Sequence, residues 1–541
     1  MVRFSNPILP GCHPDPSICR VGDDYYLVTS TFEWFPGVPI FHSRDLAHWR
    51  RIGHVLDRAS QLSLDGIRPS GGIYAPTLRH HDGVFYMITT LVDGLMESGN
   101  FVVTATDPSG PWSEPHWLPD AEGFDPSLFF DDDGRAWAHG TRPAHRPAYE
   151  GHTEVWLREL DLDGMKLVGE EHVLWDGAVK GAIWSEAPHI YKVDGRYYLL
   201  TAEGGTAHDH AVIVARADAV TGPYTGNPRN PILTHRTLGH DHPITSTGHA
   251  DLVQTPAGDW WTVLLAIRPY GGHGHDRVLG RDALPVTRPD DSTAVPPRDG
   301  GYHYNLGRET FLTSVRWEDG WPLPAQVRES AEAPALPPRR WPAPPACDNF
   351  DSELLAPVWS HLRTPREPYW TLTERPGHLR LCTRPESLSE RANPSLVARR
   401  QQHAHFAAHA AMEFTPRAAE RAGLALVQND AHHILLVLTA DGLVVIRREA
   451  GEDQTLAHAA VPPGRIWLGV EAHEQDYQMS YAVRPGDWHP LGAPVDGRVL
   501  STSTAGGFIG AYIGLYTTSE GTPTTNTADF DWFEYRELPP Q

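Results

Sequence analysis

Three acidic residues stand at matching places in a repeated pattern, and they are the side chains best suited to acid–base chemistry. Asp15 opens the run Asp15-Pro16-Ser17-Ile18, Asp125 opens Asp125-Pro126-Ser127-Leu128, and Glu186 stands one residue before Ala187-Pro188-His189-Ile190. Like charges held in one confined site destabilise each other and push at least one pKa upward. Two carboxyls with separated pKa values are what cleavage of a glycosidic bond requires. One is protonated to donate to the leaving oxygen, and the other is ionised to activate water or attack carbon. An Asp at the start of a strand can also cap a turn, and a single DPS motif carries no more than that. The reading depends on whether the fold brings the three acids together.

The repeat supplies that fold. An acidic or small residue, usually followed by Pro, leads into a short apolar strand, then a polar turn, then a strand opening on aromatics. The copies run from Asp15 to Tyr25-Tyr26, from Ala75 to Phe85-Tyr86, from Asp125 to Ala136-Trp137, from Ala187 to Tyr197-Tyr198, and from Ala250 to Trp260-Trp261. Their first residues lie 60, 50, 62 and 63 positions apart. The turns Gly22-Asp23, Asp82-Gly83, Asp133-Gly134, Asp194-Gly195 and Ala257-Gly258 are hairpin material. A unit of that length with several short strands cannot bury both faces of its small sheet alone. Radial arrangement solves this, and five copies predict a five-bladed β-propeller.

The expected fold class is all-β, with the propeller over residues 1–325. A Pro-rich linker follows over 326–345, and an antiparallel β-sandwich, a concanavalin-like jelly roll, over 346–541. The first strand of a propeller blade is the one nearest the axis, so Asp15, Asp125 and Glu186 are expected to ring one mouth of the central channel. Tyr74 in blade two and His249 in blade five precede their repeats as Glu186 does. Phe32, Trp34, Phe35 and Tyr74 offer apolar faces for a sugar ring or serve as blade packing. His249 is a candidate to bond substrate, orient an acid or hold an ion in the channel.

Composition narrows the partners. Forty-five Lys and Arg against 68 Asp and Glu give a formal charge of −23, which repels nucleic acid and anionic lipid and favours a neutral or small ligand. The N-terminus MVRFSNPILPGCHPDPS has no apolar leader region and no run approaches the length of a membrane span, so a cytoplasmic location is expected. Cys12, Cys19, Cys347 and Cys382 are too few and scattered for a disulfide framework and contain no CxxC pair. The histidines His235, His240, His242, His249, His273 and His275 raise the question of zinc, but they lack tight spacing and read better as solvated loop residues.

With those motifs in view the chain resembles glycoside hydrolase family 43, in particular its β-xylosidases. The resemblance rests on residues 6–17 (NPILPGCHPDPS), 30–37 (STFEWFPG), 41–46 (FHSRDL), 72–76 (GIYAP), 124–127 (FDPS), 185–189 (SEAPH), 248–251 (GHAD) and 306–310 (LGRET). It covers nearly the whole chain, since the second domain is similar to the family's C-terminal β-sandwich. The resemblance implies that Asp15 is the general base, Glu186 the general acid, and Asp125 an auxiliary aspartate that keeps the acid's pKa raised and its side chain aligned. It implies that Arg308 binds substrate hydroxyls, that Phe32 and Tyr74 wall the pocket, and that a sandwich loop at Gly506-Gly507-Phe508 closes it. Many relatives have Trp where Tyr74 stands. No cofactor is implied as required, although His249 matches a residue near a channel calcium that some members carry. A homo-oligomer is implied as well.

The expected activity is therefore an inverting exo-hydrolase that releases D-xylose from the non-reducing end of short β-1,4-xylooligosaccharides. A base on blade one and an acid on blade four should face each other across the pocket, as inversion requires. An exo-α-L-arabinofuranosidase, or an enzyme with both activities, is the alternative, because the two pentoses can present similar hydroxyl patterns. Fructosidases of related folds fit less well, since their Asn-Asp-Pro-Asn opening is absent. A non-catalytic sugar-binding propeller is disfavoured by the three intact acids.

Overall fold

Each repeat folds back at its polar turn, and two further strands complete a four-stranded antiparallel sheet. The computed structural model describes residues 3–95, 97–239, 242–270 and 303–540. Blade one is built from Ser17–Val21, Asp24–Val28, Gly37–Ser43 and Arg50–Leu56, and blade two from Gly72–His81, Val84–Val92, Gly99–Ala105 and His116–Trp117. Blade three contains Phe124–Phe130, Ala136–Pro143, Thr153–Asp161 and Lys166–Trp175, and blade four Glu186–Val193, Arg196–Glu203, Ala211–Ala217 and Thr225–Gly226. Blade five contains Thr245–Gln254, Trp260–Ile267, Glu309–Glu318 and Trp321–Pro324. The first strands of neighbouring blades touch around the ring, blade five against blade one. The expected five-bladed propeller is the fold observed.

Apolar layers fill the spaces between blades. Ile73, Leu78 and Met87 of blade two pack on Val28, Ile40 and Val55 of blade one. Ile18, Leu27 and Phe41 of blade one meet Trp261, Val263 and Leu312 of blade five. Hydrophobic burial of this kind is the main favourable term, at roughly 25 cal/mol per Å² of apolar surface removed from water. The ring is also laced shut by its N-terminus. The Asn6 side-chain amide donates to the Leu312 carbonyl at 2.9 Å and accepts from the Leu312 N–H at 3.0 Å. Arg3–Ser5 pairs with Ser330–Glu332. The segment 326–345, read from its prolines as a linker, therefore contributes a strand to the propeller before it leaves for the second domain.

Beside the axis, blade five supplies a buried carboxylate that three other blades grip. Asp251 is fully buried. It accepts from the Ser17 hydroxyl at 2.7 Å and the Ile18 N–H at 2.9 Å, from Arg79 Nη1 at 2.9 Å, and from the Tyr191 hydroxyl. Burial alone would raise this carboxyl, but Arg79, His189 and the hydrogen bonds hold it well below the usual carboxylate range.

The second domain stacks two antiparallel sheets. One follows the order Trp370–Thr371, Leu379–Cys382, Thr527–Glu537, His405–Phe414, Gly464–His473, Asp476–Ala482 and His489–Pro490. The other follows Ser395–Arg400, Tyr512–Thr518, Arg421–Asn429, His432–Thr439, Gly442–Glu449 and Glu452–Ala459. Alternating side chains such as Phe406, Leu424, Leu436, Leu468 and Phe530 form the core between them. The propeller joins this domain directly. Trp34–Phe35 pairs with His361–Leu362, and the Trp34 ring lies 3.6 Å from that of Tyr512 at 8°. Trp34 is 1% exposed. It is an interdomain anchor and not a sugar platform, because the sandwich covers the face that the sequence left open.

The Asp251 cluster yields a stability prediction. Asp251→Asn leaves the Arg79 guanidinium buried beside a neutral amide and should cost about 3–5 kcal/mol in denaturant unfolding at neutral pH. Because the folded-state pKa is depressed, this contribution is present above the ordinary carboxylate range and is lost as pH falls through and below it. The wild type and the variant should therefore converge in stability toward strongly acid pH.

Candidate active site

A recurrent backbone irregularity raises the functional side chains to the mouth of the channel. In blades two to five the pairing of the first strand skips between Tyr74 and Thr77, Phe124 and Ser127, Glu186 and His189, and Gly248 and Asp251. Such a bulge leaves residues unpaired and re-aims their neighbours, and it accommodates a Pro that has no N–H to give the ladder. The first bulged residue has a left-handed backbone in each case: Ala75 at φ 26°, Asp125 at 51°, Ala187 at 53° and His249 at 49°. Asp15 has the same geometry, at 54°. Asp tolerates this region better than most residues.

This register corrects the reading of blade five. His249, not Ala250, is the equivalent of Asp15 and Asp125. Asp251 is then the equivalent of Ser17, Thr77, Ser127 and His189, as the pairings Ser17–Val28, Ser127–His139 and Asp251–Val263 show. The bulge there lacks a proline, so Ala250-Asp251 mimicked the motif one residue late.

Asp15, Asp125 and Glu186 do meet, and their surroundings pull their protonation apart. Asp15 accepts from the Ser30 hydroxyl at 2.6 Å and from Arg308 Nη1 at 3.1 Å, and His249 Nδ1 lies 3.5 Å from its Oδ1. Burial would raise its pKa, but Arg308, His249, the Ser30 bond and His210 hold it below the usual carboxylate value. Asp125 accepts from the Ala187 N–H at 3.1 Å, fixing the backbone beside Glu186. Burial, opposed by His249 and reinforced by the Asp15 charge, pushes Asp125 up to about 6. Burial, then the charges of Asp125 and Asp15, push Glu186 well above the ordinary carboxylate range. One carboxyl biased toward its ionised form and one biased toward its protonated form are thus placed in a single site.

Aromatic residues and Arg308 close the site from both domains. Phe32 lies 5.2 Å from Tyr74 edge-on and 6.1 Å from Phe508 stacked, centroid to centroid. Phe508 is held at both its polar atoms. Its N–H donates to the Ser70 hydroxyl at 2.8 Å and its carbonyl accepts from Arg308 Nη2 at 3.3 Å. Arg308 also donates to the Thr206 hydroxyl at 3.0 Å. Ser70 further accepts at its carbonyl from the Tyr74 hydroxyl at 2.6 Å. At Gly507, φ 81°, a Cβ would fall 2.3 Å from Ser70 Oγ, so glycine permits the loop's close approach.

The structure therefore brings Phe32, Tyr74, Arg308, His249 and Phe508 to the three carboxyls, and leaves Trp34 behind in the domain seam. Sequence reasoning missed Ser70, Thr206 and His210, which lie in irregular segments with no repeat to flag them.

Calcium prefers six to eight oxygen ligands. The donors around His249 do not fit it. Asp15 is turned to Arg308 and Ser30, and Asp251 to Arg79, Ser17 and Tyr191. Among the described residues no group of three or more His, Cys, Asp and Glu side chains could hold a metal ion. His235 and His242 are not solvated loop residues. His235 is buried, and its nitrogens meet the Ile244 carbonyl at 2.8 Å and the Val327 N–H at 3.2 Å. His242 bonds the same carbonyl at 2.7 Å. His240, His273 and His275 lie outside the described residues.

Comparison with known proteins follows the same division of the chain. The sequence profile of glycosyl hydrolases family 43 matches residues 4–322, and that of the beta xylosidase C-terminal concanavalin A-like domain matches 347–536. The chain is 42% identical to a xylosidase/arabinosidase of Butyrivibrio fibrisolvens, over 99% of this chain and 100% of that one. It is 36% identical to a beta-xylosidase of Bacillus subtilis, over 99% and 100%. The solved structure of a xylan beta-1,4-xylosidase from Bacillus halodurans superposes with a TM-score of 0.88 at 37% identity, covering 99% of this chain and 100% of that one. With both domains matched and the three carboxyls drawn together at the propeller mouth, the chain belongs to glycosyl hydrolase family 43.

Proposed function

We propose that the protein is an inverting exo-hydrolase that releases D-xylose from the non-reducing end of short β-1,4-xylooligosaccharides. The observation that carries this reading is the convergence of three carboxyls in unlike surroundings: Asp15 is bonded by Arg308 and Ser30, which favour its ionised form, and Glu186 is buried against Asp125 and Asp15, which favour its protonated form. Asp15 draws a proton from water as that water attacks the anomeric carbon. Glu186 delivers a proton to the departing glycosidic oxygen. Asp125 keeps Glu186 protonated by its own charge and fixes its backbone through the Ala187 N–H. Placement of Asp15 on blade one and Glu186 on blade four supports attack and departure on opposite faces of the sugar, which is the geometry of inversion.

Exo action is supported by the clamp on Phe508, which lays a sandwich-domain ring against Phe32. Relatives named for xylosidase activity support the xylose preference. A second reading, release of L-arabinofuranose, is favoured by one specific observation. A non-reducing end alpha-L-arabinofuranosidase of Bacteroides ovatus is 38% identical over 99% of this chain and 95% of its own length. Turnover of 4-nitrophenyl β-D-xylopyranoside against 4-nitrophenyl α-L-arabinofuranoside, with xylobiose alongside, decides between the two. The xyloside and xylobiose should be preferred, and a preference for the arabinofuranoside would move the substrate while keeping the mechanism.

Two outcomes check the assigned roles. Glu186→Gln should lower kcat/KM on xylobiose by about 10³-fold or more and on an activated aryl xyloside far less, because a good leaving group needs no proton. Equal losses on both substrates would remove Glu186 as the acid. Asp15→Asn should cost about 10³-fold or more on both.

The pH dependence of kcat/KM should be bell-shaped. Its acid limb should reflect Asp15, which must be ionised and titrates below the usual carboxylate range. Its alkaline limb should reflect Glu186, which must be protonated and titrates well above that range. Measured with an activated substrate, the Glu186→Gln profile should lose the alkaline limb and keep the acid one.

A further inference from the structure

The residues that immediately precede the bulges are Tyr74, Phe124 and Glu186 in blades two to four. Tyr74 and Glu186 send their side chains into the pocket, yet blade five has Gly248 at the same place. A Cβ built on Gly248 would lie 2.3 Å from both Cε1 and Nε2 of His210. The imidazole of His210, borne by blade four, therefore fills the space in which blade five would present a side chain of its own.

His210 is held there firmly. It immediately precedes the strand Ala211–Ala217, at the end of a tight loop in which a Cβ on Gly204 would fall 2.3 Å from the Asp209 carbonyl. The same loop carries Thr206, the partner of Arg308. His210 is 1% exposed, and its Nδ1 lies 3.1 Å from the Ser246 carbonyl. That carbonyl can only accept, so Nδ1 carries the proton and Nε2 presents a lone pair. Burial pushes the ring's pKa down to about 3, and it is neutral at working pH. Nε2 has no hydrogen-bond partner among the described residues. A buried acceptor left without a partner is costly and is uncommon in a folded protein. The charges of Asp15, Arg308 and His249 all act on His210, and His210 acts in turn on Asp15. These features put an oriented, unpaired acceptor within electrostatic reach of Asp15.

Resting on the glycosidase reading above, we propose that His210 contacts the substrate, its Nε2 accepting a hydrogen bond from one hydroxyl of the sugar held between Asp15 and Glu186. The sugar hydroxyls are neutral donors, and the neutral imidazole can accept from one without adding charge to a site that already holds three carboxyls. A residue that merely packed behind Gly248 would have no preference among hydroxyls.

The test uses the full-length protein, with whichever of the two 4-nitrophenyl glycosides it cleaves better and the set of monodeoxy analogues of that glycoside. His210→Phe keeps a ring against Gly248 and removes the acceptor. It should lower kcat/KM on the parent glycoside by about 10–100-fold, and by no more than about 3-fold on the one analogue that lacks the partner hydroxyl. Gly248→Ala, which retains the histidine but pushes its ring aside, should show the same single-hydroxyl signature and serves if His210→Phe does not fold. A penalty equal on every analogue, or none on the parent, would overturn the proposal while leaving the glycosidase reading intact. A wild type that cleaves neither parent glycoside would refute that reading, and the proposal with it.

Discussion

The contact between Arg308 and Asp15 is the interaction around which this site is arranged. Three carboxyls buried together would all tend toward the neutral acid, since burial and mutual repulsion both raise their pKa values. Arg308 Nη1, 3.1 Å from Asp15 Oδ1, reverses that tendency for one of them. Asp15 is thereby kept as a carboxylate, and its charge in turn helps keep Glu186 and Asp125 protonated to higher pH. On the proposed mechanism, the division into base and acid is a property of the group of four residues and not of any one.

Arg308 also ties the chemistry to the architecture. It stands directly before the third strand of blade five, pairs with Asp15 of blade one, and donates to Thr206 of blade four and to the carbonyl of Phe508 in the sandwich. A movement of the sandwich loop would strain the same guanidinium that sets the protonation of Asp15. The second domain is thus part of the active site. Its attachment through Trp34 on Tyr512 and the Trp34–Phe35 pairing with His361–Leu362 keeps that loop in place.

Much of this was legible in the sequence, and the reason is the bulge. Asp-Pro and Ala-Pro recur because each first strand needs a left-handed residue followed by one that can forgo its N–H, so the motif marks both the blade and the pocket-facing acid. Where the bulge dispenses with proline, at His249-Ala250, the register was read one residue late. Trp34 is not placed by the sequence, because an aromatic in the run 30–37 has the same appearance whether a sugar or another domain covers it. His210 and Ser70 left no trace, since their importance arises from what they touch across the chain: Gly248 in one case and the Phe508 amide in the other. His235 looked like a loop histidine, and only the carbonyl of Ile244 and the amide of Val327 reveal it as a buried brace.

In the proposed mechanism Asp15 and Glu186 act from opposite faces of the bound sugar, one as base toward water and the other as acid toward the leaving group. Proton NMR of the first product formed from a β-D-xyloside, recorded before mutarotation, tests this most directly. With that arrangement α-D-xylose should appear first and then equilibrate toward the β anomer. First appearance of β-D-xylose would contradict it, since net retention would require a covalent intermediate on the carboxylate assigned here as the base.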